Sequence, residues 1–295
     1  MYNINDLDAK LKEYLDVNKD EVLVKALYDD DNLKLWQVQT NVNSPRAIIR
    51  LDSSVEFDEL DCTFDAKGGD KFTNRILTPS FLKVNKMYCP ADLLNTWKAY
   101  DVKVGATKQD SIPFETEILM ANAKAIAEKI GTLAWVGESA TDKVDGIYTI
   151  AEADTEVNKI AKGSDDITTR VQKIWSALTP EVADKMTIVM SITNYKAFIV
   201  EMMNANHFHI FEEYAGEYRM RLPYANIDVI GLKALEGKDV IMAVNFDELY
   251  YGVDSESDSM DVDLYYDKSE RNFKYVCNFV LAFQYAFSEH IWINE

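Results

Sequence analysis

The sequence contains little cysteine. Its three cysteines, Cys62, Cys89 and Cys277, are far apart in 295 residues, and none belongs to a CxxC spacing. An odd number of widely separated cysteines argues against a disulfide framework and against a zinc site. The pattern is typical of a protein that folds in a reducing compartment, and we expect that compartment to be the cytoplasm.

Long apolar runs are also missing. The chain has no stretch of about 18 or more apolar residues, so the sequence predicts no transmembrane helix. Residues 1–15, MYNINDLDAKLKEYL, carry acidic residues and lack an apolar segment. We therefore expect that they are not a signal peptide and that the protein has no membrane partner.

Basic residues are outnumbered by acidic ones. The chain has 31 Lys and Arg against 50 Asp and Glu, which gives a formal net charge of −19. Such a surface repels DNA phosphates and anionic lipids. Because phosphate contacts dominate affinity for DNA, we expect no sequence-specific DNA binding. Contact between nucleic acid and a local basic patch stays open.

Motifs for catalysis and metal binding are absent. The sequence has no GxSxG, P-loop, GxGxxG or HExxH, so we expect no enzyme, no catalytic residue and no cofactor or metal. His207 and His209 lie near Glu212 and Glu213, but their spacing is not that of a closed zinc site and favours an ordinary loop. The acidic stretch SESDSMDVD lacks EF-hand spacing and predicts a solvated turn.

The C-terminal run FKYVCNFVLAFQYAF, residues 273–287, has a period of two. Its odd positions are mostly aromatic, and its even positions are mostly small or polar. This alternation predicts a β-strand with one apolar face, about 50 Å long. The preceding DKSERN predicts a turn that joins this strand to MDVDLYY in a long hairpin.

The most regular helical pattern spans residues 113–136. Asp110 or Ser111 can cap it, Pro113 suits its first turn, and apolar residues recur every three or four positions. A helix of this length is a rod of roughly 36 Å. We expect the aromatic face of residues 273–287 to lie along it, with about 2 kcal/mol from each buried side chain.

Two further segments have no obvious partner within the chain. Residues 46–85 predict an extended hairpin that turns near Gly68 and Gly69. Because an isolated hairpin is marginally stable, this one either folds back on its own domain or lies on a neighbour. Residues 6–16 predict an amphipathic helix in an N-terminal arm, which also needs a surface to cover it.

The middle of the chain has a different character. Residues 167–250 alternate between helical and extended patterns, which predicts a compact α/β unit. Its first helix carries a stripe of apolar residues that includes Trp175. The acidic stretch 252–261 predicts a flexible boundary. The fold class is therefore α+β, with a long helix and long strands on either side of a compact insert.

This order of elements resembles the major capsid proteins of tailed phages, which have the Hong Kong 97-type fold. The segments that carry the resemblance are PFETEILMANAKAIAEKIGTLAWVGES, DGIYTIAEA, ITNYKAFI and NFKYVCNFVLAFQYAFSEHIWI. The resemblance covers nearly the whole chain and depends on architecture instead of a single motif.

The resemblance implies a division of the chain into named parts. These parts are an N-terminal arm (1–35), a peripheral domain (36–159 and 254–295) with an extended loop (46–85) and a spine helix (113–136), and an inserted axial domain (160–253). It also implies two sets of contacts between subunits. These sets are the loop tip, Lys67, Gly68, Gly69, Asp70 and Lys71, and the arm residues Leu7, Leu11 and Leu15.

The resemblance implies a structural function. The expected protein assembles with copies of itself into hexamers and pentamers, in the host bacterial cytoplasm, and forms an icosahedral virion shell around double-stranded DNA. The chain lacks a long helical leader, so we expect a separate scaffold protein, besides a portal and a possible decoration protein. Some family members cross-link Lys to Asn; for Lys67 and Lys71 a solvated turn is favoured. The alternative is an encapsulin-type shell around a cargo enzyme.

Overall fold

A computed structural model of the chain describes residues 33–57, 68–89, 114–205, 218–222, 225, 227–254 and 261–295. The predicted arm helix, with Leu7, Leu11 and Leu15, lies outside these residues. Lys67 and the histidine pair His207 and His209 also lie outside them. The interpretations of these residues stay predictions.

Helices and strands both contribute to the fold, which is the α+β class that the sequence predicted. The helices are α1 (Phe114–Val136), α2 (Ser139–Asp142), α3 (Ile147–Ala153), α4 (Ile167–Ala177) and α5 (Ile192–Asn204). The strands are β1 (Gln37–Gln39), β2 (Arg46–Ser54), β3 (Gly69–Leu77), β4 (Ser80–Tyr88), β5 (Asn158–Ile160), β6 (Thr187–Ser191), β7 (Arg219–Arg221), β8 (Asp228–Leu232), β9 (Ile241–Val244), β10 (Leu249–Val253), β11 (Asp261–Asp267), β12 (Asn272–Tyr285) and β13 (Trp292–Asn294).

Helix α1 is the central rod of the structure. It has 23 residues, and its buried apolar side chains recur at helical spacing: Leu119, Ala123, Ile126, Ile130 and Leu133. The helix ends at Val136, and Gly137 follows it. A Cβ at this position would lie 2.6 Å from the carbonyl oxygen of Leu133 and 2.7 Å from that of Val144. Only glycine fits this close approach of two backbone segments, so the helix stops here.

The first sheet has five strands, with β12 at its centre. On one edge of β12, β4 pairs antiparallel with residues 273–281. On the other edge, β11 and β10 lie end to end, and β1 pairs parallel with β10. The 14 residues of β12 are needed because two strands share one of its edges. The predicted hairpin of β11 and β12 is confirmed.

The aromatic face of β12 lies in the same core as α1, as predicted. Phe273, Tyr275, Phe279 and Phe283 join the apolar side chains of the helix in one continuous cluster. Burial alternates along the strand as far as residue 278 and then becomes continuous from Phe279 to Phe283. The alternation stops because other residues also cover the second face of the strand there.

The second sheet has six strands in the order β5-β13-β9-β6-β8-β7. Its two faces belong to different cores. Ile188 and Met190 of β6 pack with apolar residues of α4 and α5, whereas Val189 belongs to the core that contains α1. The two sheets therefore share one core on the α1 side, although each has its own set of strands.

The chain passes between the two sheets three times, from β4 to β5, from β9 to β10 and from β12 to β13. Strand β10 belongs to the first sheet and β13 to the second, although the predicted division assigned each of them to the other part. That division stays a prediction. The acidic stretch 252–261 was predicted to be flexible. For residues 252–254 this prediction is wrong, because they are buried and the first two pair with β12.

The contact between β12 and α1 predicts that substitutions on the two faces of β12 lower the free energy of unfolding by very different amounts. We expect Phe279→Ala to lower the free energy of unfolding by about 3–5 kcal/mol, because it leaves a cavity against the helix core. Val276→Ala, on the half-buried opposite face, is the control and should cost about 1 kcal/mol. Urea denaturation of unassembled subunits measures both. Equal losses in the two variants would contradict the arrangement.

Candidate functional site

Strands β2 and β3 form a two-stranded hairpin that stands apart from both sheets. Nine residue pairs connect them, from Arg46 opposite Leu77 to Ser54 opposite Gly69. Neither strand pairs with another strand among the described residues. At about 3.3 Å per residue, the hairpin extends roughly 26 Å beyond Leu77. Residues 80–85, which the sequence placed in the extended loop, belong to β4 in the first sheet.

One face of the hairpin is apolar and exposed. The register places Ile49 and Leu51 on the same face as Phe72 and Ile76. Their relative exposures are 72%, 55%, 69% and 55%, respectively. Beyond the end of β2, Val55 and Phe57 continue the apolar surface and are also exposed. We call Ile49, Leu51, Phe72 and Ile76 the apolar strip.

The apolar strip is unfavourable in a protein that stays alone in water. Burying one such side chain contributes about 2 kcal/mol, and isolated soluble proteins rarely expose contiguous apolar patches of this kind. A hairpin without a third strand is also marginally stable. The strip therefore has the properties of a surface that becomes covered by another molecule.

The far end of the hairpin is built by two glycines and a serine. Gly68 has a φ of +85°, and a Cβ there would lie 2.2 Å from the carbonyl oxygen of Ser54. The Ser54 hydroxyl donates to the Gly69 carbonyl oxygen at 3.1 Å and accepts from the Gly69 N–H at 3.0 Å. Asp70 and Lys71 follow Gly69 at the start of β3. A role of these residues in subunit contact stays a prediction.

The root of the hairpin is fixed on the outer face of the first sheet. Leu77 is fully buried there against Val42 and Ala282, with Ile48 beside them. A Cβ at Gly252 would lie 2.9 Å from Leu77 Cδ2 and 3.1 Å from Ala282 Cβ. The small residues 252 and 282 thus leave the space that Leu77 fills, which explains why both faces of β12 are buried nearby.

A polar cluster holds the hairpin two residues above its root. Arg75 forms an ion pair with Asp154, donates to Ser288 Oγ at 2.6 Å and to Gln284 Oε1 at 3.3 Å, and lies 4.2 Å above the Tyr285 ring. The Tyr285 hydroxyl donates to Asp154 Oδ2 at 2.7 Å. The side chains of Arg75 and Asp154 are only 22% and 14% exposed, so water screens this pair weakly.

Burial and hydrogen bonds act in opposite directions on the pKa of Asp154. Burial raises it, but hydrogen bonds from the Glu156 N–H, Tyr285 and Arg75 outweigh this effect and lower the pKa from 3.8 to about 2. Burial raises the pKa of the Tyr285 hydroxyl, and its bond to Asp154 acts in the same direction. At neutral pH the cluster therefore holds a carboxylate, a guanidinium and a neutral phenol.

Strand β4 carries a second exposed apolar surface. Its inner face is held to α1 because Lys86 Nζ and Tyr88 Oη both contact Asn122 Oδ1, at 2.7 and 3.0 Å. On its outer face, Phe81 and Met87 are 64% and 63% exposed. The first sheet thus continues, on its outer side, the apolar character of the hairpin.

The tryptophans are divided between core and surface. Trp36, Trp135 and Trp292 are buried. Trp175 belongs to the apolar stripe of α4 but is 47% exposed. Helix α4 turns Arg170, Val171 and Ile174 inward, which leaves Trp175 at the margin of the buried face.

The described residues contain no cluster that indicates metal binding. Within them, no group of three or more His, Cys, Asp or Glu side chains could hold a metal ion. His290 Nδ1 contacts Glu248 Oε2 at 2.9 Å, which joins two of the connections between the sheets. In the same part of the chain, no helix is long and apolar enough to cross a membrane.

Gly252 in β10, below the root of the hairpin, and the two glycines at the far end of the hairpin predict contrasting effects of alanine. Gly252→Ala should lower the free energy of unfolding by about 1–3 kcal/mol and increase hydrogen exchange in residues 46–54, because the new methyl displaces Leu77. Gly68→Ala should also destabilise the turn, because of its positive φ. Gly69→Ala is the control, since nothing lies within 4 Å of its Cβ position. Equal hydrogen exchange of residues 46–54 in all three variants would contradict the packing of Leu77 against Gly252.

The lowered pKa of Asp154 predicts that the free energy of unfolding depends on pH. An acid whose pKa is lower in the folded state stabilises the fold above its unfolded pKa, and this contribution is lost as pH falls towards the folded value. We expect Asp154→Asn to lose roughly 2 kcal/mol at pH 7. The difference from wild type should persist down to about pH 4 and narrow below it. Urea denaturation at pH 7, 5, 4 and 3 measures it; a constant difference would contradict the assignment.

No protein-family model and no curated protein matches the sequence. Solved structures do match. A chain of the satellite phage P4 procapsid, in a structure that includes the size determination (Sid) protein, has a TM-score of 0.66 at 10% identity, covering 99% of this chain and 98% of that one. The capsid of an empty GTA particle has 0.61 at 12% identity, covering 88% and 87%. A virus-like particle from Pyrococcus furiosus has 0.53 at 10% identity, covering 93% and 96%.

Identities this low carry information about the fold alone. The matches cover most of the chain and of each matched chain, and several of them are phage capsids, including that of Myoviridae phage XM1. The chain has the α+β fold of tailed-phage major capsid proteins.

Proposed function

We propose that the protein is the major capsid protein of a tailed phage, which assembles with copies of itself into a closed shell. The observation that carries the proposal is the apolar strip on a projecting hairpin whose root is firmly held. Since a neighbouring copy offers the same surfaces in a fixed relation, burial of the strip on that copy repeats at every contact. Many repeated contacts of modest strength make a stable shell.

The finer architecture follows the Hong Kong 97-type fold. In this proposal α1 is the spine helix, the hairpin is the extended loop, and the second sheet with α4 and α5 is the core of an inserted axial domain at the centre of hexamers and pentamers. The tip residues from Lys67 to Lys71 and the arm residues Leu7, Leu11 and Leu15 lie against adjacent subunits. The fold shared with phage capsid structures supports this arrangement.

The proposed shell encloses double-stranded DNA without reading its sequence. A net charge of −19 suits a container for DNA, because the genome does not adhere to an acidic wall. Separate scaffold, portal and decoration proteins complete the particle, which assembles in the cytoplasm of the host bacterium. No enzymatic activity belongs to this function.

A second candidate is an encapsulin-type shell that encloses a protein cargo. The similarity to a virus-like particle from Pyrococcus furiosus favours it, because that structure is a particle of the same fold and is not described as a phage. The two candidates share the subunit contacts and differ in the contents. They therefore make the same prediction for assembly and different predictions for what purified particles hold.

The apolar strip predicts an assembly defect with an intact subunit. We expect Ile49→Asp with Phe72→Asp to abolish shells, because burying two carboxylates at a subunit contact is strongly unfavourable. Arg46→Ala, an exposed residue of the same hairpin, is the control and should assemble normally. Sedimentation velocity and negative-stain microscopy measure assembly, and circular dichroism checks the fold. Normal shells from the double variant, or after deletion of residues 58–72, would overturn the proposal.

The contents of the particles decide between the two candidates. We expect particles purified from infected cells to protect DNA of uniform length from nuclease, whereas an encapsulin-type shell would hold a second protein at a constant ratio to the first. Agarose gels after nuclease treatment and denaturing protein gels measure the two. Particles that contain a cargo protein and no protected DNA would contradict the phage capsid and support the encapsulin-type shell.

A further inference from the structure

We propose that Arg75 is the residue that sets the angle at which the hairpin leaves the body of the subunit. One consequence of the inference rests on the proposed function: a fixed angle lets the hairpin reach a neighbouring copy in a fixed direction. The angle itself is a property of one subunit, and it follows from how β3 is held at Leu77 and Arg75, with a hydrogen bond from Gln284 Nε2 to the Ile76 carbonyl oxygen at 3.3 Å between them.

Leu77 and Arg75 hold β3 in different ways: Leu77 fixes the position of the root, and Arg75 fixes the direction of the strand. Leu77 is the pivot, because it fills the space above Gly252 and Ala282 and fixes the position of the root. A single apolar contact fixes a position well and a direction poorly. Arg75 lies two residues farther along β3, about 7 Å from the pivot, whereas the far end of the hairpin lies about 26 Å from it. Any change at Arg75 is therefore magnified roughly fourfold at the far end.

Two of the partners of Arg75, Asp154 and Ser288, belong to connections between the two sheets, whereas Gln284 and Tyr285 belong to β12. Asp154 follows α3 on the way to β5, and Ser288 lies between β12 and β13. Ser288 Oγ, which accepts from Arg75, also donates to Glu156 Oε2 at 3.4 Å, so the two connections are joined at the same place. Arg75 therefore orients the hairpin relative to two connections between the sheets, and not relative to a single strand.

The chemistry of the cluster requires arginine. The guanidinium offers several N–H donors in a plane, so it contacts a carboxylate, a hydroxyl and an amide oxygen while its face lies on the Tyr285 ring. A lysine has one ammonium centre and no planar face, so it can keep the ion pair with Asp154 but not the whole set. Arg75 is thus a positioning residue whose effect passes through Asp154, Ser288 and Tyr285.

Distance measurements between spin labels on unassembled subunits test the proposal. Cys62 and Cys89 are replaced by serine, and buried Cys277 is kept. The first label pair, Ser53→Cys with Ala125→Cys, reports the hairpin against α1. The second pair, Ala125→Cys with Ala177→Cys, reports the second sheet and its helices against α1, and it detects general loosening of the body.

We expect Arg75→Ala to replace the narrow distance distribution of the first pair by a broad one, and to leave the second pair unchanged. Asp154→Asn should broaden the first pair in the same way, and Arg75→Lys should recover it only in part. The matched control is Arg46→Ala, since Arg46 is an exposed cation of the same hairpin; it should change neither pair. If Arg75→Ala prevents folding, Asp154→Asn carries the test.

A narrow first-pair distribution in both Arg75→Ala and Asp154→Asn would overturn the proposal. Broadening of both label pairs together would also overturn it, because Arg75 would then be a general structural residue. Since the measurement needs no shells, it can succeed where the proposed function fails. If the proposed function also holds, Arg75→Ala subunits should form no shells or shells of mixed diameter.

Discussion

The structure depends on the burial of the aromatic face of β12 against α1. A strand of 14 residues and a helix of 23 residues each gain most of their stability from a partner that covers one face along their length. Their side chains form one core that also takes in residues of the second sheet, such as Val189 and Ile293. Since each buried aromatic or aliphatic side chain contributes about 2 kcal/mol, this core is the dominant favourable term, and everything that projects from the body projects from it.

The same strand also determines where the hairpin is attached. From Phe279 to Phe283, β12 is buried on both faces, and the second face is covered by the root of the hairpin. Ala282 and Gly252 lack the volume that would keep Leu77 away. The rod, the central strand and the hairpin are therefore parts of one packed stack, and a subunit with a well-formed core also holds its hairpin root in place.

Periodicity predicted the local elements because it reports burial within one segment. The helix at 113–136 and the two-residue alternation of 273–287 both follow from spacing alone. Contacts between distant residues leave no such pattern. Arg75 and Ser288 are 213 residues apart, and a single arginine in an extended segment looks like any solvated cation. Buried Arg170, which donates to Asn294 Oδ1 across 124 residues, was hidden for the same reason. Helical spacing likewise places Trp175 in the apolar stripe of α4 without deciding whether a neighbour covers it.

An exposed apolar hairpin is useful for assembly only when its direction is fixed. A hairpin that swung freely would lose conformational freedom each time it bound a neighbour, and that loss would offset part of the energy gained by covering Ile49, Leu51, Phe72 and Ile76. Because the Arg75 cluster fixes the hairpin, this conformational freedom is already lost when the subunit folds. The stability of the core that surrounds β12 offsets that loss. Closed shells add a geometric reason, since an angular error at one contact is passed to the next and prevents closure. If the protein forms the proposed shell, the Arg75 cluster and the Leu77 contact make the direction of each contact between subunits depend on the stability of the subunit core.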